Sequence, residues 1–250
     1  VGKFAFEMEK QTVIFRDPGN VDYQAAWDYQ EKLLKENVRK KSEAGEVKDW
    51  KDIADASTKH YLLFVEHPPV YTLGKSGNKE NVLLNDEELK EKNIQFFSTN
   101  RGGDITFHGN DQIVGYPILD LEKFYTDIGR YLRNLEEVII LTLEEYGIKG
   151  ERSAGETGVW IDTAIPGKER KICAIGVRCS RWITMHGFAF NVNTELSYFN
   201  HIIPCGIVNK QVTSLEKELG YKADMAEVKK KVKKNFEKVF EAKLVSEVPL

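Results

Sequence analysis

Cys205 stands in the turn Ile203-Pro204-Cys205-Gly206, where proline fixes the entering backbone and glycine lets another backbone or a ligand approach. Such a turn presents a thiol among backbone N–H groups, the arrangement of a nucleophile with an oxyanion hole. An ordinary half-buried turn cysteine has the same spacing. A free thiol titrates near 8.5 and leaves roughly 3% thiolate at pH 7, so a nucleophilic cysteine needs a cation or a base beside it. The chain offers His108, His186 and His201 for that role, and also Lys171, which opens the apolar run Ile172-Cys173-Ala174-Ile175-Gly176. Spacing does not choose between histidine and lysine. With Lys168-Glu169-Arg170 ahead of it, Lys171 reads equally as a solvated surface residue.

A second dense segment is Arg101-Gly102-Gly103-Asp104-Ile105-Thr106-Phe107-His108-Gly109. Paired glycines permit close backbone approach to a ligand, while arginine and histidine supply polar anchors. The segment is neither a GxxxxGK[ST] phosphate loop nor a GxGxxG dinucleotide turn. The three cysteines, Cys173, Cys179 and Cys205, cannot all pair, and no CxxC occurs to mark a zinc knuckle or redox pair. The expectation is a reduced, cytoplasmic protein with no metal site.

Composition narrows the class further. Across 250 residues, 36 Lys and Arg against 39 Asp and Glu leave a net charge of −3, without the basic excess of a general nucleic-acid binder. Apolar residues at 41% and charged residues at 30% predict a globular chain able to bury a core. Apolar runs such as 61–65 and 138–141 fall far short of the roughly 20 residues that span a bilayer. The opening residues show no apolar signal core, so neither membrane nor export is expected.

These residues need elements to position them. Asp17-Pro18-Gly19-Asn20 reads as a turn, with Asn20 capping a helix that carries Ala26, Tyr29, Leu33 and Leu34 on one stripe. From Lys35 to Lys59 the chain becomes strongly charged and aperiodic, a helix end followed by a solvated insertion. Strands are predicted at 61–65, 70–74, 94–98, 112–118, 157–162 and 171–178, the last two a hairpin about Pro166-Gly167. Ile128, Leu132, Leu135, Ile139 and Leu143 mark a helix over 127–146 that Gly147 closes. Residues 182–193 are apolar on both faces, as in a central covered strand, with Trp182, His186, Phe188 and Phe190 on one side and Ile183, Met185 and Ala189 on the other. Two helices end the chain, begun by the capping spacings Thr213…Glu216 and Asp224…Glu227. The expected class is α+β, a mixed β-sheet flanked by helices. One main domain spans 1–250, with a charged insertion at 35–59 and a helical C-terminal segment at 213–250.

Several segments, in order, resemble the lipoyl(octanoyl) transferase family. They are Glu66-His67-Pro68-Pro69-Val70-Tyr71-Thr72-Leu73-Gly74, the RGG-xx-TFH core beginning at Arg101, Gly158-Val159-Trp160, residues 171–180, His186-Gly187-Phe188-Ala189, and Ile203-Pro204-Cys205-Gly206. The resemblance implies a fold similar to that of biotin and lipoate protein ligases. It implies Cys205 as acyl-thioester nucleophile and Lys171 as the lysine that lowers the thiol pKa. Around the acyl substrate it implies residues 101–108 together with Ala174, Ile175, Gly176, Gly187, Phe188 and Ala189. The implied activity moves an octanoyl group from octanoyl-acyl carrier protein to a lysine of lipoyl domains, without a cofactor. Those domains belong to 2-oxoacid dehydrogenase complexes and the glycine cleavage H protein. An ATP-dependent lipoate-protein ligase is the alternative, sharing sheet and lysine but not needing Cys205. One departure stands out: where the family usually reads His-Gly-Pro-Gly-Gln, this chain has His108-Gly109-Asn110-Asp111-Gln112. Asn and Asp tolerate a left-handed backbone, so the turn is expected to survive.

Overall fold

The computed structural model describes residues 10–46, 57–203 and 211–247. Strand β1 (Gln11–Asn20) leads into α1 (Tyr23–Glu46), β2 (His60–Glu66) and β3 (Val70–Leu73). Then follow α2 (Asp86–Glu91), β4 (Gln95–Ser98), β5 (Ile105–His108), β6 (Gln112–Ile118) and α3 (Ile128–Glu144). The rest comprises β7 (Glu151–Ser153), β8 (Glu156–Ile161), β9 (Arg170–Ser180), β10 (Ile183–Asn191), β11 (Gln211–Val212), α4 (Leu215–Leu219), α5 (Met225–Phe240) and β12 (Ala242–Ser246).

Among the described residues, the main sheet runs β12-β1-β2-β6-β10-β9-β8-β7, with β11 alongside β9. Its first three strands are mutually parallel and the run from β2 to β7 is antiparallel. A second sheet of order β4-β3-β5 carries the residues that follow the two prolines and those of the RGG segment. The expected mixed sheets flanked by helices are therefore present. No helix among the described residues is long and apolar enough to cross a membrane.

Helices cover the main sheet on both faces. α1 lays Ala26, Leu33 and Leu34 on Leu63, Val65, Met185 and Ala189. α3 and α5 bury Leu135, Ile139, Val232 and Phe236 on the opposite face, with Phe64, Phe188 and Phe190. Asp127 and Asp224 cap α3 and α5 through their side chains, relieving backbone N–H groups that lack intrahelical partners.

Four expectations need correction. Asp17, Pro18, Gly19 and Asn20 belong to β1, where the register with β2 shifts between Arg16 and Gly19. A bulge reads locally like a turn. Asp22, not Asn20, accepts from the N–H groups of Gln24 and Ala25 to start α1. α1 also runs to Glu46, well into the charged stretch. Buried Asn37 exchanges two hydrogen bonds with the Lys59 backbone, and Lys41 pairs with buried Asp120 at 2.9 Å. Finally, the C-terminal segment is not wholly helical: α5 is followed by β12, which pairs with β1.

Candidate active site

The site begins with a pleat. Side chains alternate along a strand, so Ala174 and Gly176 of β9 share a face with their cross-strand partners Ala189 and Gly187 of β10. Four of the smallest residues thus form a floor, while Cys173, Ile175, Phe188 and Phe190 fill the opposite face. The RGG loop lies across this floor: Gly102 N–H donates to Val177 O at 2.9 Å. A Cβ on Gly176 would sit 2.7 Å from Gly102 O, so only glycine permits that approach.

Above the floor is a cavity of about 620 Å³, within the range of small-molecule sites. Arg101, Gly102, Gly103, Asp104, Ile105, Thr106 and His108 line it, as do Ala174, Ile175, Gly176, Gly187, Phe188, Ala189 and Lys171. Phe107 does not. It points into the small-sheet core and stacks on Tyr198 at 4.5 Å. Cys205 lies outside the described residues. The described chain stops at Ile203, whose N–H donates to Asn81 O, and resumes at Gln211, opposite Arg170.

Lys171 reaches the cavity face through a bulge. Val159 pairs with Cys173, yet Trp160 pairs with Lys171, leaving Ile172 as an extra residue on β9. Ile172 and Cys173 are consecutive but both lie in the same buried core cluster. With strict alternation Lys171 would follow Cys173 into that core. The bulge moves Lys171 to the side of Ala174 and Gly176. Val212 beside Lys171, on β11, also lines the cavity.

A buried hydrogen-bond chain holds the other wall. Arg101 donates to the hydroxyl and carbonyl of Thr72. The Thr72 hydroxyl then donates to His108 Nε2 at 3.2 Å. His108 Nδ1–H donates to Gln112 Oε1 at 3.0 Å. Gln112 Nε2 donates onward to Asn191 Oδ1, Asn191 to Thr213 O, and Thr213 N–H to Lys171 O. Burial, with nearby His67 and Arg101, keeps His108 neutral far below the usual histidine range. Burial likewise pushes His186 down to about 3 and His67 to about 4. These histidines are neutral hydrogen-bond partners at pH 7. The basic side chains lining the cavity are Arg101 and Lys171.

His186 departs from the expected strand geometry. Its φ of 58° is left-handed, and its ring lies by Trp27 and Asn100 instead of beside Phe188 and Phe190. Asp111 at φ 57° confirms that the Asn110-Asp111 turn adopts the conformation glycine otherwise supplies. Tyr23, Tyr116, Gln112 and Asn191 also line the cavity, although motif reading did not single them out. Burial raises Tyr23 to about 12, and Tyr116 donates to His67 Nε2 at 2.7 Å. Among the described residues, no group of three or more His, Cys, Asp or Glu side chains is arranged to hold a metal ion.

Comparisons with known proteins identify the chain's relatives. The family described as Lipoyl protein ligase A/B catalytic domain matches residues 22–237. An octanoyltransferase of Christiangramia forsetii is 57% identical over 238 residues, covering 95% of this chain and 99% of that protein. One of Flavobacterium johnsoniae is 58% identical over 231 residues, covering 92% and 97%. Among solved structures, a bipartite lipoate protein ligase of Thermoplasma acidophilum has a TM-score of 0.66 at 15% identity, covering 97% and 88% of the two chains. A lipoate-protein ligase A bound with ATP has a TM-score of 0.64 at 14% identity, covering 97% and 90%. The chain belongs to the lipoyl protein ligase A/B catalytic domain family and, within it, to the octanoyltransferases, which are acyltransferases.

Proposed function

We infer that the chain moves an octanoyl group from acyl carrier protein to a lipoyl-domain lysine through a thioester on Cys205. The observation that carries this reading is the floor of small residues with Lys171 on the same face. It gives a cavity floored by small residues for an acyl chain, with a basic group in its lining. The naming of relatives more than 50% identical as octanoyltransferases supports the acyl group.

In the first step the Cys205 thiolate attacks the thioester carbonyl carbon. The C–S bond to the carrier breaks, and the departing phosphopantetheine thiolate takes a proton. In the second step the neutral acceptor lysine amine attacks the enzyme thioester, the C–S bond to Cys205 breaks, and the cysteine leaves as thiolate while the amine's proton passes to solvent, leaving an amide. Thioester to amide is downhill, so no nucleotide is consumed. Lys171 serves the thiol, stabilising its anion or exchanging its proton. A free nucleophilic thiol suits the reducing cytoplasm. The acceptors are lipoyl domains of 2-oxoacid dehydrogenase complexes and the glycine cleavage H protein.

Incubation with octanoyl-acyl carrier protein, followed by intact-mass measurement, tests the reading. A single octanoyl adduct is expected on the unaltered protein and none on Cys205→Ser. An undiminished adduct on Cys205→Ser overturns the assignment. Lys171→Ala is expected to raise the pH midpoint for alkylation of Cys205, and an unmoved profile would break the pairing.

A further inference from the structure

The bulge at Ile172 does more than turn Lys171 out of the core. It makes Trp160 the direct cross-strand partner of Lys171, so both side chains share the cavity face of the sheet. The Lys171 Nζ sits 4.5 Å from the centre of the Trp160 ring. Tryptophan offers the most electron-rich face of the natural aromatics, and it attracts an ammonium within about 6 Å. Trp160 is itself 3% exposed, so the ring is a fixed platform with little freedom to move.

Gly158 completes the seat. Its φ of 126° is open to glycine alone, and a Cβ there would lie 2.7 Å from Cys173 O and 3.5 Å from Lys171 Cε. The lysine stem therefore passes close over a residue without a side chain before its tip meets the ring. A wholly buried carboxylate anchors this stretch of β8 from behind. Glu136 of α3 accepts from the Gly158 N–H at 3.0 Å while Arg133 and Arg152 neutralise it. Helix, bulge, glycine and ring all border the path of the lysine side chain.

We propose that Trp160 is a positioning residue that holds the Lys171 ammonium on the cavity face by a cation–π contact, so that the lysine serves the thiol as a fixed positive charge. The proposal rests on the Cys205–Lys171 reading above. A flexible lysine would spread its charge over many rotamers, whereas one seated on a ring presents it at one place.

The test is the pH dependence of Cys205 alkylation, followed by peptide mass spectrometry so that Cys173 and Cys179 are scored separately. Trp160→Leu removes the π face and is expected to raise the Cys205 midpoint by about half to one pH unit. Trp160→Phe is expected to restore part of that shift. Site-specific fluorinated tryptophan at position 160 drains the ring face while nearly keeping its shape, which guards against a leucine variant that fails to fold. The midpoint should climb stepwise with each added fluorine.

A profile that ignores fluorination, while Lys171→Ala moves it, overturns the proposal and leaves the cysteine–lysine pair standing. A profile that Lys171→Ala also fails to move removes the pair and the proposal together. An octanoyl adduct that persists on Cys205→Ser removes the underlying reading by a separate measurement.

Discussion

The two faces of β9 and β10 are made by the same residues of chain yet have opposite characters. One face carries Cys173, Ile175, Phe188 and Phe190, packed on α3 and α5, with Ile175 and Phe188 also bordering the cavity. The other carries Ala174, Gly176, Gly187 and Ala189 beneath a cavity of about 620 Å³. Large side chains on one side supply the burial that lets the other side be left open. The difference teaches that the site is built by close approach: glycine at 176 admits the Gly102 carbonyl, glycine at 187 admits the Gly115 carbonyl, and a single bulge places the one basic side chain of β9 that lines the cavity.

Removing bulk from the packed face should hurt stability most. Phe190→Ala empties a fully buried position and should cost about 3–5 kcal/mol, read from urea unfolding. A cost below about 1 kcal/mol would mean that the packed face does not support the open one.

Acid should come next, and its sign follows from the buried histidines. His60 and His67 are held down to about 4 and His186 to about 3, each mainly by burial, against an unfolded value near 6.5. Between those values the unfolded chain binds protons that the folded chain refuses. Stability is thus intact above about pH 6.5 and falls as pH drops toward 4. The loss should be on the order of a few kcal/mol, seen as a lower urea midpoint at pH 4.5 than at pH 7. An unchanged midpoint would show that these rings are already charged when folded.

Filling the open face should cost least stability and most function. Ala189→Leu should destabilise by about 1–3 kcal/mol while abolishing octanoyl-adduct formation in the intact-mass assay. Undiminished loading would place the acyl chain elsewhere and dissolve the functional contrast between the faces.

Much of this contrast was legible in the sequence. The two apolar faces of residues 182–193 announced a covered central strand, and the four-and-three spacing from Ile128 to Leu143 announced α3. The Arg101 segment stood out by its residues, those around Ala174 and Gly187 only through the family resemblance, and the cavity gathers all three with Lys171. What stayed hidden were the irregularities. The bulge at Ile172 reverses parity without changing composition, so Lys171 looked like the edge of a solvated turn. The bulge at Asp17-Pro18 made the end of β1 read as a turn. His186 left its expected face because its φ is positive, which spacing does not encode. The length of α1 depends on Asn37 and Lys41 finding Lys59 and Asp120, partners distant in sequence. Tyr23 and Glu136 gave no local signal, because only the tertiary arrangement buries them.

The pairing of β12 with β1 bears on how the protein is made. β1 lies between β2 and β12, and the ion pair of Arg16 with Glu247 joins the same two ends. A nascent chain therefore carries one side of β1 unpaired until residues 242–246 have left the ribosome. During that interval β1 is an open edge, able to template pairing with another chain. Synthesis that stalls after α5 would release a molecule whose cavity strands are complete but whose sheet is still seeking a neighbour.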